Sequence, residues 1–461
     1  MFRTTHGEIA AGAKIVVSGT IVLAAAGISV EAAPLLTETQ KLIASDGAPS
    51  DKFGFAVDRE GDTLIIGAPQ HYTNALPGSF YVFERDATGQ WIQQARVFSD
   101  YQPGEAELGD IFGDCLALSG DTLLVGAPLA EQAGEIRVGR VYVFERQGGG
   151  AWVKRQILLP DVGTNTGFGE EIVLVGDTAV ITGVDRAFVF TRDGSGAWSQ
   201  QTELQGFDLD SIRALAFDGQ RIALTSFEFP TDSPQAVIFT AEGPRWSTPV
   251  PLMSSAQGFL VTGGAWFCGG QFALGINDLN SPDYVSLFAP DASGGWSEVQ
   301  LLTNPDTDDP YPDTHDFGRA IHGDDSSMIV GADQGNRAYV FLRDPMGGWV
   351  YTAQLRPTDA YTFAQNFGNE VHLRDQAPVV GSWAHHENGL YAGAVYVFAP
   401  ITGSAPGDMD GDGDVDLDDH AIFAECMTGP EGSVTTNCTP ADLDSDGDAD
   451  LRDYAVLATE S

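Results

Sequence analysis

Residues 63–97 contain Thr63-Leu-Ile-Ile-Gly67, Phe80-Tyr-Val-Phe-Glu84 and Trp91-Ile-Gln-Gln-Ala-Arg-Val97, and the middle segment decides the fold because it returns along the chain. An aromatic or β-branched residue, an aliphatic residue and Phe recur in Tyr81-Val-Phe83, Tyr142-Val-Phe144, Phe188-Val-Phe190, Val237-Ile-Phe239, Val285-Ser-Leu-Phe288, Tyr339-Val-Phe341 and Tyr396-Val-Phe398. Successive Phe residues lie 46 to 61 positions apart. A period near 50 (~50), with β-rich segments bounded by Gly turns, points to propeller blades and not to helical repeats. Each unit supplies four strands, in the first Gly54 to Asp58, Thr63 to Gly67, Phe80 to Glu84 and Trp91 to Val97. The tight Glu60-Gly61-Asp62 and Asp86 to Gln90 turns join strands one to two and three to four, as hairpins require.

The fourth strand opens with Trp91, Trp152, Trp198, Trp246, Trp296 and Trp349, and the seventh unit has no such Trp. After Phe398 the chain passes to Pro400-Ile-Thr-Gly403 and supplies no outer strand, which would leave an open sheet edge. Leu36-Thr-Glu-Thr-Gln-Lys-Leu42 parallels Trp91 to Val97 and Trp198 to Leu204, so residues 34–44 are expected to close blade seven. The fold class is therefore an all-β seven-bladed propeller over residues 33–400.

Lys41-Leu-Ile-Ala-Ser-Asp-Gly47, Phe53-Gly54, Gly67-Ala-Pro69 and Tyr81-Val-Phe83 together resemble an FG-GAP repeat, the unit of integrin-α-type propellers. Blade two repeats the pattern with Phe112-Gly113 and Gly126-Ala-Pro128, and Phe168-Gly169, Phe317-Gly318 and Phe367-Gly368 continue it, while blades four and five have lost both dipeptides. Integrin-type blades often carry an Asp-x-Asp-x-Asp calcium loop, and none occurs between these strands, so the resemblance implies no calcium in the blades.

Composition narrows the partners. With 65 Asp+Glu against 23 Lys+Arg, a formal charge of −42 repels phosphate backbones and anionic lipid, which excludes nucleic acid and membrane surfaces as partners and favours divalent cations. Arg3 and Lys14 precede the apolar run Ile15 to Val30, followed by Val30-Glu-Ala32. Residues 1–32 read as a signal peptide, too short and too interrupted by Ser18, Gly19 and Gly27 to span a bilayer. The protein is expected to be secreted, extracellular or at the cell surface.

Function must be sought in the connections. Blades seven, one and two have roomy ones, and blade seven abuts blade one, so Trp383, His385, His386 and Tyr391 adjoin His71 and Tyr72. Three readings stand for this face: a carbohydrate or protein ligand, a transition metal held by the imidazoles, or plain loop decoration. Asp306, Asp308, Asp309, Asp313 and Asp316 form an irregular acidic loop, read as a solvated charge run. Cys115 and Cys268 fall on inner strands and read as packing thiols. No catalytic motif is found, so the chain reads as a binding protein more than as an enzyme.

The tail carries the sharpest chemistry. Residues 408–419 and 442–453 form two twelve-residue calcium loops: Asp408, Asp410, Asp412, Asp414, Asp416 and Asp419 in the first, Asp442, Asp444, Asp446, Asp448, Asp450 and Asp453 in the second. Side chains at positions 1, 3, 5, 9 and 12 and the carbonyl at position 7 supply hard oxygens, and Gly413 and Gly447 allow the sharp turn at position 6. Two Ca2+ ions are expected. Helical patterns follow at Leu417 to Met427 and Leu451 to Thr459, with no helix before either loop. After the linker 401–407, the domain 408–461 resembles a type I dockerin, which implies a cohesin-like partner. Dockerins commonly read cohesin through a Ser/Thr-type pair at loop positions 10 and 11, here Leu417-Asp418 and Leu451-Arg452. Cys426 and Cys438 enclose a short loop and are expected to form a disulfide in an oxidising compartment. The whole reads as a secreted, calcium-binding adhesion or display module. The alternative is a polysaccharide-degrading hydrolase or lyase of a cellulosome-like system.

Overall fold

The computed structural model describes residues 35–69, 78–99, 110–131, 137–161, 166–207, 211–226, 228–229, 236–255, 260–278, 283–292, 294–305, 316–344, 346–359, 365–401, 423–424 and 426–427. Seven antiparallel sheets follow one another along the chain. The inner strand of each touches that of the next, and the inner strand of blade seven returns to blade one. The fold is a seven-bladed β-propeller. Blade one comprises Val57–Glu60, Thr63–Ala68, Ser79–Arg85 and Trp91–Phe98.

The hydrophobic core lies between blades, because both faces of a sheet in a ring are covered by neighbours. Leu64, Ile66, Tyr81 and Phe83 of blade one pack with Val379, Val395 and Val397 of blade seven around Phe53, which is fully buried. Phe53 meets Tyr81 edge to face at 5.1 Å, the geometry that ring quadrupoles favour.

The paired glycines have a steric cause. A Cβ on Gly67 would stand 2.2 Å from the carbonyl oxygen of Gly113, so the Gly-Ala-Pro segment of blade one and the Phe-Gly turn of blade two fit only as bare backbone. The same mesh closes the ring, where a Cβ on Gly381 of blade seven would lie 2.3 Å from Gly54 O. Gly67→Ala is expected to cost about 1–3 kcal/mol or more by overpacking. Gly148→Ala, with nothing within 4 Å of its added methyl, should change stability by less than about 0.5 kcal/mol. Denaturant unfolding of the two variants checks this; equal midpoints would refute the interlock.

Two strand expectations need correction. The first strand of blade one starts at Val57, not Gly54, because Phe53-Gly54 is spent on the inter-blade turn, with Gly54 at φ 87°. In blade four Trp246 ends a two-residue strand, Arg245–Trp246, and the outer edge resumes only at Val250–Leu252. Pro249 stands in the gap between the two segments, where proline has no N–H to give a ladder.

The seventh sheet has the order Glu370–Arg374, Ala377–Ser382, Ala394–Phe398 and then Glu38–Leu42 from the other end of the chain. Glu38–Leu42 runs antiparallel to Ala394–Phe398, with Lys41 opposite Tyr396 and Leu42 opposite Val395. A side-chain clamp repeats here as well. Gln40 accepts the backbone N–H of Trp91 at 2.8 Å and donates to its carbonyl at 2.9 Å. Gln156 holds Trp198 in the same two-way fashion, as Gln300 holds Trp349. In the tail, Phe423, Ala424 and Cys426 are helical, and Phe423 and Cys426 are buried. Met427, the expected end of the first helix, is described and is not helical. Both expected calcium loops, Cys438 and the other residues of the two expected helices lie outside the described residues.

Candidate functional site

The inner strands carry side chains to the propeller axis, where they line a cavity of about 730 Å³. Register from the Phe-Gly dipeptide sets which residues arrive. The residue after the dipeptide is Asp114, Glu170 or Arg319, the next is Cys115, Glu171 or Glu370, and the fifth after Phe is Asp58, His322 or His372. Arg213, Trp266 and Arg374 complete a charged, partly aromatic wall.

Burial governs this chemistry. Desolvation, with Asp114 and Glu170 nearby, pushes Glu171 up to about 8 against the pull of Arg319. Desolvation likewise lifts Asp58 and Glu170 to about 7, and Glu370 rises well above the usual carboxylate range under burial and the field of Glu171. Near neutral pH the cavity therefore holds carboxyl groups that can donate as well as accept hydrogen bonds.

On one side Trp266, His322 and His372 form a stack with successive ring centroids 4.1 Å apart. Burial pushes His322 down to about 3, and its Nδ1 accepts the Leu373 N–H at 3.2 Å, which leaves the hydrogen of the neutral ring on Nε2. His372 is likewise held neutral by burial, with Nδ1 3.5 Å from Asp58 Oδ1. Asp58 Oδ2 accepts the Leu118 N–H at 2.7 Å, tying blade one to blade two.

The pH dependence has a definite sign. Glu171 has a folded pKa above its unfolded value, so its contribution is present in full below about 4.5 and is lost as pH rises through about 8. Glu171→Gln removes that loss. Its melting temperature is expected to exceed that of the parent by a margin that widens from pH 5 to pH 9, worth a few kcal/mol less a discount for contact with channel water. Thermal unfolding at both pH values checks it, and parallel curves would refute it.

The face expected from the sequence divides in two. Half-buried Trp383 clusters with exposed His386 and Tyr391, Tyr391 lying 5.8 Å from Trp383 and 5.3 Å from His386. Lys52 lies 4.6 Å above the Trp383 ring, and Phe55, which also lines the cavity, stands 6.3 Å from it. His71 and Tyr72 lie outside the described residues.

His385 turns inward and is fully buried. Its Nε2 meets Asp359 Oδ2 at 3.1 Å, while its Nδ1 accepts the Glu387 N–H at 3.3 Å, so both ring nitrogens are engaged. Tyr396 Oη donates to the other oxygen of Asp359 at 2.7 Å. The ligand atoms of Asp359, His385 and Glu387 lie close enough to hold a metal ion. Lys41 already takes the cationic place, however, bonded to Asp359 at 2.7 Å and to Glu387. Burial lowers the Lys41 pKa, but these two carboxylates outweigh it and hold the ammonium above its usual value. The group therefore acts as a clamp on the closing strand.

Cys115 lines the cavity and Cys268 ends the inner strand of blade five; both are free thiols. Burial pushes Cys115 well up and Cys268 to about 12, so neither is a thiolate nucleophile.

Residues 36–83 and 91–144 match the FG-GAP repeat family, and residues 406–460 match the dockerin type I domain. The protein is a seven-bladed β-propeller with FG-GAP repeats and a type I dockerin domain. Such a domain implies a cohesin partner, and type I dockerins generally bind calcium. No curated protein matches the chain in sequence. Among solved structures, a β-propeller domain from Myceliophteria thermophila is 12% identical, with 80% of this chain and 100% of that one covered and a TM-score of 0.48. A periplasmic gluconolactonase of Pseudomonas aeruginosa is 18% identical, with 65% and 84% covered and a TM-score of 0.43. A Lactobacillus plantarum protein is 14% identical, with 68% and 87% covered and a TM-score of 0.46. No helix among the described residues is long and apolar enough to cross a membrane.

Proposed function

We propose that this protein is a secreted binding module, carried by its dockerin onto a cohesin-bearing partner in a calcium-dependent way, with the propeller presenting a ligand site at the axial cavity and its aromatic rim. The observation that carries the reading is the join of a dockerin domain to a ring whose axis is lined by unlike charges and aromatic rings. Carboxyl groups beside arginines, with Trp383 and Tyr391 at the rim, suit a polyhydroxylated ligand, whose hydroxyls both donate and accept. Carbohydrate is therefore the first class to test, and a protein segment the second. Secretion fits the apolar segment after Lys14, and an oxidising compartment fits a disulfide between Cys426 and Cys438.

The test is a capture experiment with the full chain on immobilised cohesins, with and without calcium, followed by glycan and peptide arrays on the captured protein. Calcium-dependent capture and array binding lost in Trp383→Ala with Glu171→Gln are expected. Capture that is indifferent to chelator would overturn the docking half, and array binding unchanged in the double variant would overturn the proposed site. A second reading, a dockerin-borne polysaccharide hydrolase or lyase, is favoured by one observation: carboxyl groups with pKa near neutrality in a cavity, the state a general acid needs. Release of reducing ends or unsaturated products from a polysaccharide panel would select it.

A further inference from the structure

Three arginines bridge neighbouring blades, each to a carboxylate: Arg59 to Asp375 at 3.1 Å, and Arg146 to Glu84 and Arg192 to Glu145 at 2.8 Å. Arg319 of blade six is different. Among the described residues its guanidinium makes no ion pair and no hydrogen bond, and it lines the axial cavity. As the second residue after Phe317 it stands at the level of Phe55 and Asn369, which line the cavity too, and Phe55 approaches Trp383 at the rim. Arg319 therefore belongs to the rim side of the cavity.

Two carboxyl groups feel its field. Glu370 comes from blade seven beside it and Glu171 from blade three across the ring; both line the cavity, and neither side chain has a hydrogen-bond partner among the described residues. With the pull of Arg319 included, burial still holds Glu171 at about 8 and Glu370 well above the usual carboxylate range. Near neutral pH they do not neutralise the guanidinium, and they can donate hydrogen bonds. A separate observation comes from blade seven. His372, 3% exposed, lines the cavity with Nε2 buried and unbonded, and its ring is fixed by the stack with His322. Buried polar atoms are rarely left without a partner in a native fold, and a hydroxyl inside the cavity would supply one.

Resting on the reading of the cavity as a saccharide site, we propose that its ligand is a sugar acid, with the carboxylate gripped by Arg319, the carboxyls of Glu171 and Glu370 donating to it or to flanking hydroxyls, and His372 meeting a hydroxyl further in. A planar carboxylate matches the guanidinium fork in two parallel bonds. It also supplies the charge that Arg319 lacks, whereas a neutral sugar would displace water from the guanidinium and leave it unpaired, which is costly. The volume of about 730 Å³ falls within the roughly 300–1,000 Å³ of small-molecule sites, room for a short saccharide. A formal charge of −42 repels long polyanions, so one acid residue in an otherwise neutral saccharide fits best.

The probes are glucuronosyl-xylose and the neutral disaccharide made by reducing its carboxyl to the alcohol, each titrated calorimetrically into the full chain at pH 7. The acid is expected to bind about tenfold more tightly or better. Arg319→Gln should erase that preference, and Arg319→Lys should keep part of it. The pH profile of the parent needs no arginine variant. Glu171 is faced by Asp114 and Cys115 of blade two, Glu170 of its own strand, Arg319 and Glu370. When it ionises beside a bound carboxylate, affinity for the acid should fall by about tenfold between pH 7 and pH 9, while the neutral disaccharide shows no such fall and Glu171→Gln flattens the profile. Equal affinity for the two disaccharides, or an acid preference that survives Arg319→Gln, would overturn the sugar-acid assignment and leave the saccharide reading standing. Binding of neither would overturn the assignment as well, and silence of the parent on glycan arrays would take the saccharide reading with it.

Discussion

A chain beginning at residue 45 is expected to aggregate or to melt far below one beginning at residue 34. The missing segment includes Glu38–Leu42, which pairs with Ala394–Phe398 and is the outer strand of blade seven. Its loss removes an antiparallel ladder whose hydrogen bonds contribute about 0.5–1.5 kcal/mol each. It also exposes the surface around Leu42, 3% exposed, whose burial is worth about 1.5–3 kcal/mol. Two clamps go as well: Gln40 on the Trp91 backbone, and Lys41 on Asp359 and Glu387. Together these approach the roughly 5–15 kcal/mol that holds a whole domain folded. The bare edge of Ala394–Phe398 would then be free to pair with another chain. Size-exclusion chromatography and thermal unfolding of the two chains decide it. A monomeric truncated chain with an unchanged melting temperature would show that the ring does not need this strand.

The closure was readable because the repeat fixes register. Aligning Leu36 with Trp152 and Trp296 puts Gln40 where Gln156 and Gln300 stand, and all three make the same clamp. Phe-Gly and the x-Val-Phe element are legible for a like reason: close backbone approach and inter-blade packing tolerate few residue types, so the sequence must repeat wherever the contact does. The axial cavity imposes no such uniformity. The fifth position after Phe is Asp58, Ala117, Val173, His322 or His372, and only the offset from Phe, not the residue type, marks those side chains as neighbours. His385 escaped in another way. It looks like a loop histidine, and what buries it, Asp359 and Lys41, comes from the preceding connection and from the opposite end of the chain.

Removing calcium is expected to unfold the dockerin while leaving the propeller folded. Ten of the carboxylates in the two expected loops stand at ligand positions 1, 3, 5, 9 and 12: Asp408, Asp410, Asp412, Asp416 and Asp419 with Asp442, Asp444, Asp446, Asp450 and Asp453. Each close pair repels by about 1 kcal/mol at 4 Å even in bulk water, and more as water is excluded. A domain the size of residues 406–460 buries too little apolar surface to overcome that repulsion and chain entropy together. Calcium at a thousandfold excess over its dissociation constant adds about 4 kcal/mol to the folded state, enough to reverse the balance. The propeller draws its stability from apolar cores packed between its blades, and no such loop occurs among its described residues. Limited proteolysis of the full chain in chelator should therefore release the tail and spare a fragment ending near residue 401. Asp412→Ala with Asp446→Ala should give the same pattern in calcium, lose two ions by calorimetry, and lose cohesin capture. A tail that resists protease in excess chelator would mean that its helices are held by packing alone, and would remove calcium from the docking step.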